Sequence, residues 1–106
     1  MDTDCFMYDI KLTDEFNLWL RRLKDHSTRI RLARCLEKAS RGLLGDVKPV
    51  GDGLYEMREH FGPGWRMYYV QRGTTLIIML AGGDKSTQSR DIELAKQRAT
   101  KLDEAT

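Results

Sequence analysis

The sequence predicts an α+β fold of two layers, in which an N-terminal helical hairpin packs on an antiparallel sheet and a C-terminal helix follows the sheet. Two observations support this prediction. Two segments with apolar residues at helical spacing precede Gly42. Three strand-like segments then follow one another between residues 54 and 81, joined by short links that contain glycine. The 106 residues, without internal repeat or linker, are interpreted as one domain over residues 1–106.

A short strand is predicted first, over residues 6–11, and two helices follow it. Thr13 is a good N-cap, and apolar residues then recur at i, i+3, i+4 and i+7 along one side of a helix: Phe16, Trp19, Leu20 and Leu23. The second helix should end near Ser40, because Gly42 is placed to terminate it. Its apolar side carries Leu32, Cys35, Leu36 and Ala39. The break between the two helices is short, so an antiparallel hairpin is expected.

The second half of the chain predicts a meander of three strands. Residues 44–53 are rich in turn-forming residues and are interpreted as a loop. Strands are predicted over residues 54–60, 65–71 and 74–81, and the links between them are short enough for hairpins. The segment 74–81 is apolar on both faces, which predicts the most buried strand. A last helix is expected to begin at Ser89 and to bury Ile92, Ala95, Ala99 and Leu102.

Composition restricts the class of protein. Apolar residues make up 41% and charged residues 32% of the chain, and no apolar run approaches the ~20 residues that a membrane helix needs. The first five residues are acidic rather than basic, unlike a signal peptide, so a cytoplasmic protein is expected. Cys5 and Cys35 form no metal-binding motif and are interpreted as reduced thiols, with Cys35 buried. No metal and no cofactor is therefore expected.

Charge is distributed unevenly along the chain. Residues 1–20 carry one lysine and five acids, whereas residues 21–42 carry eight lysines and arginines against two acids. This basic block suggests a negatively charged partner, either nucleic acid or an acidic peptide. Four of its cations, here called the basic stripe, lie on one side of the second helix: Arg31, Arg34, Lys38 and Arg41. Such a stripe is usually solvated surface, but a docking surface for RNA or the ribosome remains an open alternative.

A second group of cations is predicted on the strands. If Met57 and Met67 face the helices, strand alternation places Arg58, His60, Arg66 and Tyr68 together on the open face of the sheet. Guanidinium groups hold phosphate oxygens through two donors, and an aromatic ring can stack on a base. Lys85 follows the last strand and could reach the same place, with Lys48 as a contact at the rim.

Each of these residues has a simpler interpretation. Arg58 could pair with Glu56 or with an acid on a neighbouring strand, and His60 could be a solvated turn residue. The segment Asp84-Lys85 could be a helix-entry turn, in which the hydroxyl groups of Ser86, Thr87 and Ser89 cap backbone amides. Residue types alone therefore predict no more than a basic domain that could bind RNA.

Three segments in this order and spacing resemble the RelE/ParE superfamily of bacterial toxins, most closely its HigB-like branch of addiction module killer proteins. The segments are Gly53-Leu54-Tyr55-Glu56-Met57-Arg58, Gly62-Pro63-Gly64-Trp65-Arg66-Met67-Tyr68-Tyr69 and Leu80-Ala81-Gly82-Gly83-Asp84-Lys85-Ser86-Thr87-Gln88. The likeness extends from about residue 16 to about residue 99.

The resemblance implies the toxin of a type II toxin–antitoxin system, neutralised by a small helix-turn-helix DNA-binding antitoxin. Ribosome-dependent members are mRNA interferases, endoribonucleases that arrest translation and growth. They need no metal, because the ribose 2′-hydroxyl attacks the adjacent phosphate while cations stabilise the developing charge. The family's cations match Arg58, Arg66 and Lys85, which the resemblance therefore implies as catalytic residues. The implied partners are the antitoxin, the ribosome and mRNA.

The chain departs from the family pattern in two places. Glu56 stands where some members have a second basic residue, and Ser89-Arg90-Asp91-Ile92 stands where some have a tyrosine. Candidates for proton transfer or base stacking are therefore Tyr68, His60 and Asp84. These departures favour a second hypothesis, a ParE-like inhibitor of DNA gyrase without nuclease activity. A non-toxic RNA-binding module is the third.

Overall fold

The computed structural model describes residues 7–104. Its elements are β1 (Asp9–Leu12), α1 (Asp14–Arg21), α2 (His26–Ser40), β2 (Asp46–Gly51), β3 (Leu54–Arg58), β4 (Trp65–Arg72), β5 (Leu76–Asp84), a 3-10 turn (Lys85–Thr87) and α3 (Gln88–Glu104). The five strands form one sheet in the order β1-β5-β4-β3-β2. The α+β class and the antiparallel meander of β3, β4 and β5 are confirmed.

Helix α1 begins, and helix α2 ends, where local chemistry predicts. The Thr13 hydroxyl accepts a hydrogen bond from the backbone N–H of Phe16, which satisfies one of the free donors in the first turn of α1. The apolar residues that α1 and α2 bury come from the predicted apolar sides, namely Phe16 and Leu20 from α1, and Leu32, Leu36 and Ala39 from α2. Helix α2 also buries Thr28, whose hydroxyl donates to Asp25. Gly42 follows α2 with a φ of 92°, a conformation that favours glycine.

The first strand differs from the prediction in position and direction. It begins at Asp9 rather than at residue 6, and Phe6 lies outside the described residues. Strand β1 also pairs in parallel with β5, so the prediction of a wholly antiparallel sheet is wrong. The alternation of apolar and polar residues along a strand indicates which face is buried, but it does not indicate the direction of the neighbouring strand.

Residues 46–51 form a strand, although the sequence predicted a loop there. Strand β2 pairs antiparallel with β3 at the edge of the sheet. The edge position tolerates Pro49, because its missing N–H is not needed by a second neighbour. Asp52 and Gly53 connect β2 to β3 with positive φ angles of 53° and 77°. An Asp-Gly pair is the usual signal for such a hairpin turn, so the sequence did contain a local sign of β2.

Helices cover both faces of the sheet, so the two-layer prediction is wrong. Helices α1 and α2 share one core with Met57, Met67, Tyr69, Ile77 and Met79. Helix α3 packs on the opposite face, called here the α3 face, against Leu54, Tyr68, Val70, Leu80 and Ala81. The apolar residues on both faces of β5 agree with this arrangement, since each face is buried under a helix. No helix in residues 7–104 is long and apolar enough to cross a membrane.

Candidate functional site

The turn between β3 and β4 brings two of the predicted cations to one corner of the sheet. Gly64 has a φ of 81°, and its N–H donates to the carbonyl of Phe61 over 3.1 Å. A Cβ atom added to Gly64 would lie 3.5 Å from Arg66 Nη1 and 3.4 Å from Lys85 Cβ. Arg66 and Lys85 therefore flank Gly64, and this corner is called the Gly64 corner. The absence of a side chain at Gly64 leaves room beside the guanidinium group.

Arg66 does not lie on an open face. Strand alternation places it on the α3 face with Tyr68 and Val70, and it is only 6% exposed. Its Nη1 donates to the carbonyl of Trp65 over 3.2 Å. Its Nε lies 3.9 Å from Oε1 of Glu56, which is 1% exposed. The expectation that Arg66 lies on an open face of the sheet was wrong, because α3 covers this face.

Glu56 is the centre of a buried polar network that sequence reasoning missed. Its Oε2 accepts hydrogen bonds from Tyr68 Oη over 3.1 Å and from Gln88 Nε2 over 2.6 Å. Tyr68 is completely buried, so the predicted stacking of its ring on a base is contradicted. Burial, together with the neighbouring Glu56 carboxylate, raises the pKa of Tyr68 well above its usual value, so its phenol stays protonated at neutral pH.

Arg58 and Arg66 are direct neighbours on adjacent strands. Arg58 also pairs with Asp46 on β2, where Nε lies 3.4 Å from Oδ2, so it contacts an acid on a neighbouring strand as one interpretation predicted. Like charges directly opposite each other destabilise a sheet. Here each guanidinium group has its own carboxylate, Asp46 for Arg58 and Glu56 for Arg66. The arrangement concentrates positive charge that these two carboxylates offset.

His60 lies at the exposed edge of the same cluster. Its Nε2 is 2.6 Å from Asp46 Oδ2, and 61% of its side chain is exposed. The hydrogen bond with His60, together with the charge of Arg58, lowers the pKa of Asp46 below its usual value. Asp46 therefore stays ionised at neutral pH and links His60 to Arg58.

Asp84 and Lys85 form the helix-entry turn that one interpretation predicted. The Asp84 carboxylate accepts from the N–H of Ser86 over 2.8 Å, and Thr87 Oγ1 accepts from the N–H of Asp84 over 3.3 Å. The hydrogen bond with Ser86 lowers the pKa of Asp84, which leaves it ionised and occupied as a cap. Ser89 does not cap the helix, because α3 already begins at Gln88. Lys85 is exposed.

The two glycines before Asp84 permit close packing on both faces of β5. A Cβ atom at Gly82 would overlap the indole ring of Trp19, and one at Gly83 would overlap the carboxylate of Asp91. Asp91 is 3% exposed and accepts a hydrogen bond from Thr87. Sequence reasoning did not identify Asp91, because its burial depends on a glycine eight residues earlier.

Gly82→Ala and Gly83→Ala are each expected to destabilise the protein by about 1–3 kcal/mol, since forcing a methyl group into a filled space displaces neighbours. Urea denaturation of the purified variants measures this loss. Gly73→Ala is an informative comparison, because nothing lies within 4 Å of a Cβ there and only its positive φ of 64° opposes the substitution. Equal stability of Gly82→Ala, Gly83→Ala and the parent would contradict the packing described for both glycines.

The remaining predicted residues lie around this site. Lys48 is exposed on β2 and pairs in register with Glu56, so it lies at the rim of the α3 face. The basic stripe is exposed along α2. Its Arg31 lies over the ring of Phe61 in the β3–β4 turn, 3.8 Å from the ring centre, and Arg41 pairs with Glu37 over 3.0 Å. The stripe thus begins beside the turn that holds Gly64.

In the part of the chain that the structure describes, neither a metal-binding cluster nor a reactive thiol accompanies the cations. Within residues 7–104, no group of three or more His, Cys, Asp or Glu side chains is arranged to hold a metal ion. Cys35 is half-buried, and its burial together with a hydrogen bond to Glu59 raises its pKa to about 12. Its thiol is therefore unreactive at neutral pH. Cys5 lies outside the described residues. The chemistry available at the Gly64 corner is that of guanidinium and ammonium groups, which bind anions.

The architecture defines a RelE-like fold. The structure superposes on a double arginine-to-alanine mutant of the Escherichia coli toxin RelE in the free state with a TM-score of 0.65, covering 92% of this chain and 98% of that chain at 15% identity. The chain belongs to the family described as phage derived protein Gp49-like (DUF891), whose model matches residues 19–100. It is also 40% identical over 93 residues to an uncharacterized protein of Haemophilus influenzae, covering 88% of this chain and 94% of that protein. The predicted resemblance to the RelE/ParE superfamily is thereby confirmed in the fold, and the HigB-like branch stays a prediction.

Proposed function

We propose that this chain is the toxin of a type II toxin–antitoxin system and that it cleaves mRNA on the ribosome. The observation that carries the proposal is the convergence of cations at one corner of the sheet. Arg58 and Arg66 are cross-strand neighbours, and the Cβ of Lys85 lies beside Gly64, as Nη1 of Arg66 does. Three cations that are close in space but distant in sequence suit a phosphodiester better than a neutral ligand.

In the proposed reaction, the 2′-hydroxyl of a ribose attacks the adjacent phosphorus atom and the bond to the 5′-oxygen of the next nucleotide breaks. Negative charge builds on the phosphate oxygens in the transition state. Arg66 and Lys85 would stabilise that charge from two sides, and Arg58 would add to the local positive potential. Donors fixed in place before the reaction are effective because they need little reorganisation.

Of the three candidates for proton transfer, His60 is the best placed. Tyr68 is buried and holds its proton, and Asp84 is an ionised helix cap. His60 is exposed, and the Asp46 carboxylate can orient its ring. Histidine can also give and accept protons near neutral pH. We therefore assign proton transfer to His60 within this proposal, in which it takes the proton of the attacking 2′-hydroxyl and returns a proton to the departing 5′-oxygen.

The proposed partners are a cognate antitoxin with a helix-turn-helix domain, the ribosome and mRNA. Four exposed cations along α2 offer a surface for rRNA or for an acidic antitoxin segment. Arg31 contacts Phe61 in the β3–β4 turn, which also contains Gly64. A partner bound beside Arg31 would therefore contact this turn.

Replacing Arg31, Arg34 and Lys38 together with glutamate is expected to lower ribosome affinity at least tenfold, since several phosphate contacts would become repulsive. Sedimentation with purified ribosomes at two salt concentrations measures this change, and the parent should show the steeper dependence on salt. Asp9, Asp14 and Glu15 replaced together with lysine provide a charge-altered control away from α2. Unchanged ribosome binding and unchanged antitoxin binding would show that the stripe is solvated surface only.

The direct test of the proposed activity is translation of a defined mRNA by purified ribosomes with and without the protein. We expect new mRNA 5′ ends within codons only when ribosomes are present. Cleavage of naked mRNA at equal rate would contradict ribosome dependence, and no cleavage in either case would contradict the nuclease proposal.

One observation favours the second candidate function, inhibition of DNA gyrase. Arg66 is 6% exposed and lies beside Glu56, so its charge is less available than in an open cation site. A supercoiling assay with purified gyrase, carried out beside the translation assay, separates the two functions. Inhibition of supercoiling without mRNA cleavage would favour the gyrase inhibitor.

A further inference from the structure

The carboxylate of Glu56 is fixed on one side and faces a cation on the other. Tyr68 from β4 and Gln88 from α3 both donate to Oε2, over 3.1 Å and 2.6 Å. Among the described residues, no donor forms a hydrogen bond with Oε1. That atom faces Arg66 Nε at 3.9 Å, in a place where Glu56 is 1% exposed. The charge of Oε1 is therefore balanced by a guanidinium group rather than by solvent.

The guanidinium group of Arg66 has an inner and an outer side. The inner side, with Nε, faces Glu56. The outer side, with Nη1 and Nη2, lies next to Gly64, where an added Cβ atom would be 3.5 Å and 3.9 Å away. Lys85 approaches the same point from the 3-10 turn. Any anion at the Gly64 corner would therefore meet the Nη nitrogens and not Nε.

We infer that Glu56 is a positioning residue, which fixes the orientation of Arg66 so that its outer nitrogens face the Gly64 corner. Gln88 and Tyr68 hold the carboxylate through hydrogen bonds. The carboxylate attracts the guanidinium group across 3.9 Å, without a hydrogen bond between Oε1 and Nε, while the carbonyl of Trp65 accepts from Nη1. Glu56 itself is too deeply buried to contact a substrate, so it acts through Arg66. The effect on catalysis rests on the proposed nuclease function, whereas the effect on Arg66 does not.

Glu56→Gln tests this inference, because the amide keeps the size of the side chain and removes its charge. The matched control is Glu59→Gln, which changes a half-buried glutamate on the same segment but on the other face of the sheet. Two readouts are independent of nuclease activity. One is the position and width of the Arg66 Nε–H resonance in ¹H–¹⁵N spectra. The other is the affinity for inorganic phosphate, obtained from the shift of that resonance during a phosphate titration.

In Glu56→Gln, we expect the Arg66 Nε–H resonance to shift and broaden, while affinity for phosphate stays equal or increases because the competing carboxylate charge is gone. The single-turnover rate of mRNA cleavage should fall about 10- to 100-fold without a rise in KM, since misplacing a catalytic group by about 1 Å has an effect of this size. Glu59→Gln should leave the resonance, the phosphate affinity and the rate unchanged.

Gln88→Ala serves as a second variant if Glu56→Gln does not fold. It removes the shorter hydrogen bond to Glu56 but keeps the carboxylate, so we expect a smaller shift of the same Arg66 resonance. An unchanged Arg66 resonance in a folded variant would overturn the inference. A fall in the mRNA cleavage rate that is no larger than the fall in the fraction of folded protein would also overturn it. If the parent protein cleaves no mRNA, the nuclease proposal fails, and the Arg66 resonance still decides the role of Glu56.

Discussion

Arg66→Lys is expected to lower ribosome-dependent mRNA cleavage by about 100- to 1,000-fold, the usual cost of losing one donor that stabilises transition-state charge. Lysine keeps the positive charge beside Glu56, so the protein should remain folded. A single ammonium group cannot, however, reach Glu56, the carbonyl of Trp65 and the Gly64 corner at once, as the guanidinium group does. The measurement is the rate at which new 5′ ends form in the purified translation system.

Arg72→Lys is the matched control for this experiment. Arg72 lies at the other end of β4, where it pairs with Asp103 over 2.7 Å at the surface. Its replacement should leave cleavage near the parent rate. A folded Arg66→Lys protein that cleaves mRNA as fast as the parent would contradict the central role of Arg66.

Arg66→Ala is expected to lower the free energy of unfolding by about 3–5 kcal/mol, because removing one partner of a buried ion pair leaves the other charge uncompensated. The residue left behind is Glu56, at 1% exposure and with Oε1 lacking a hydrogen bond from the described residues. If Arg66 lay on an open face, its replacement would be expected to leave the free energy of unfolding almost unchanged. Urea denaturation, followed by circular dichroism, measures the difference.

A double variant separates the buried charge from other consequences of the substitution. In Arg66→Ala combined with Glu56→Gln, the uncompensated carboxylate is gone, so we expect part of the lost stability to return. The two substitutions should therefore be non-additive, as is usual for groups in direct contact. Additive losses, or a loss below about 1 kcal/mol for Arg66→Ala alone, would contradict the ion pair as a stabilising element.

The sequence by itself determined the parts of the fold that depend on local chemistry. Each of these parts depends on residues that are close in sequence. They are the start of α1 at the N-cap Thr13, the apolar side of α2 and the short link at Gly73 between β4 and β5. Strand alternation also predicted that Arg66 lies opposite Met57 and Met67, on the condition that these two methionines face α1 and α2, as they do. The meeting of Arg66 and Lys85 at one corner could likewise be predicted, because each stands at the end of a strand next to the other.

Only the tertiary structure decided which strands pair and what covers each face. Strand β2 carries Pro49, and local propensity predicted a loop, but pairing with β3 at the edge of the sheet makes it a strand. The burial of Arg66 requires α3 to cross the sheet, and it requires Gln88 to reach Glu56 across 32 positions of sequence. The spacing of apolar residues predicts burial from positions close in sequence. It cannot predict contacts between distant segments, and such contacts make Arg66, which was expected on an open face, one half of a buried pair.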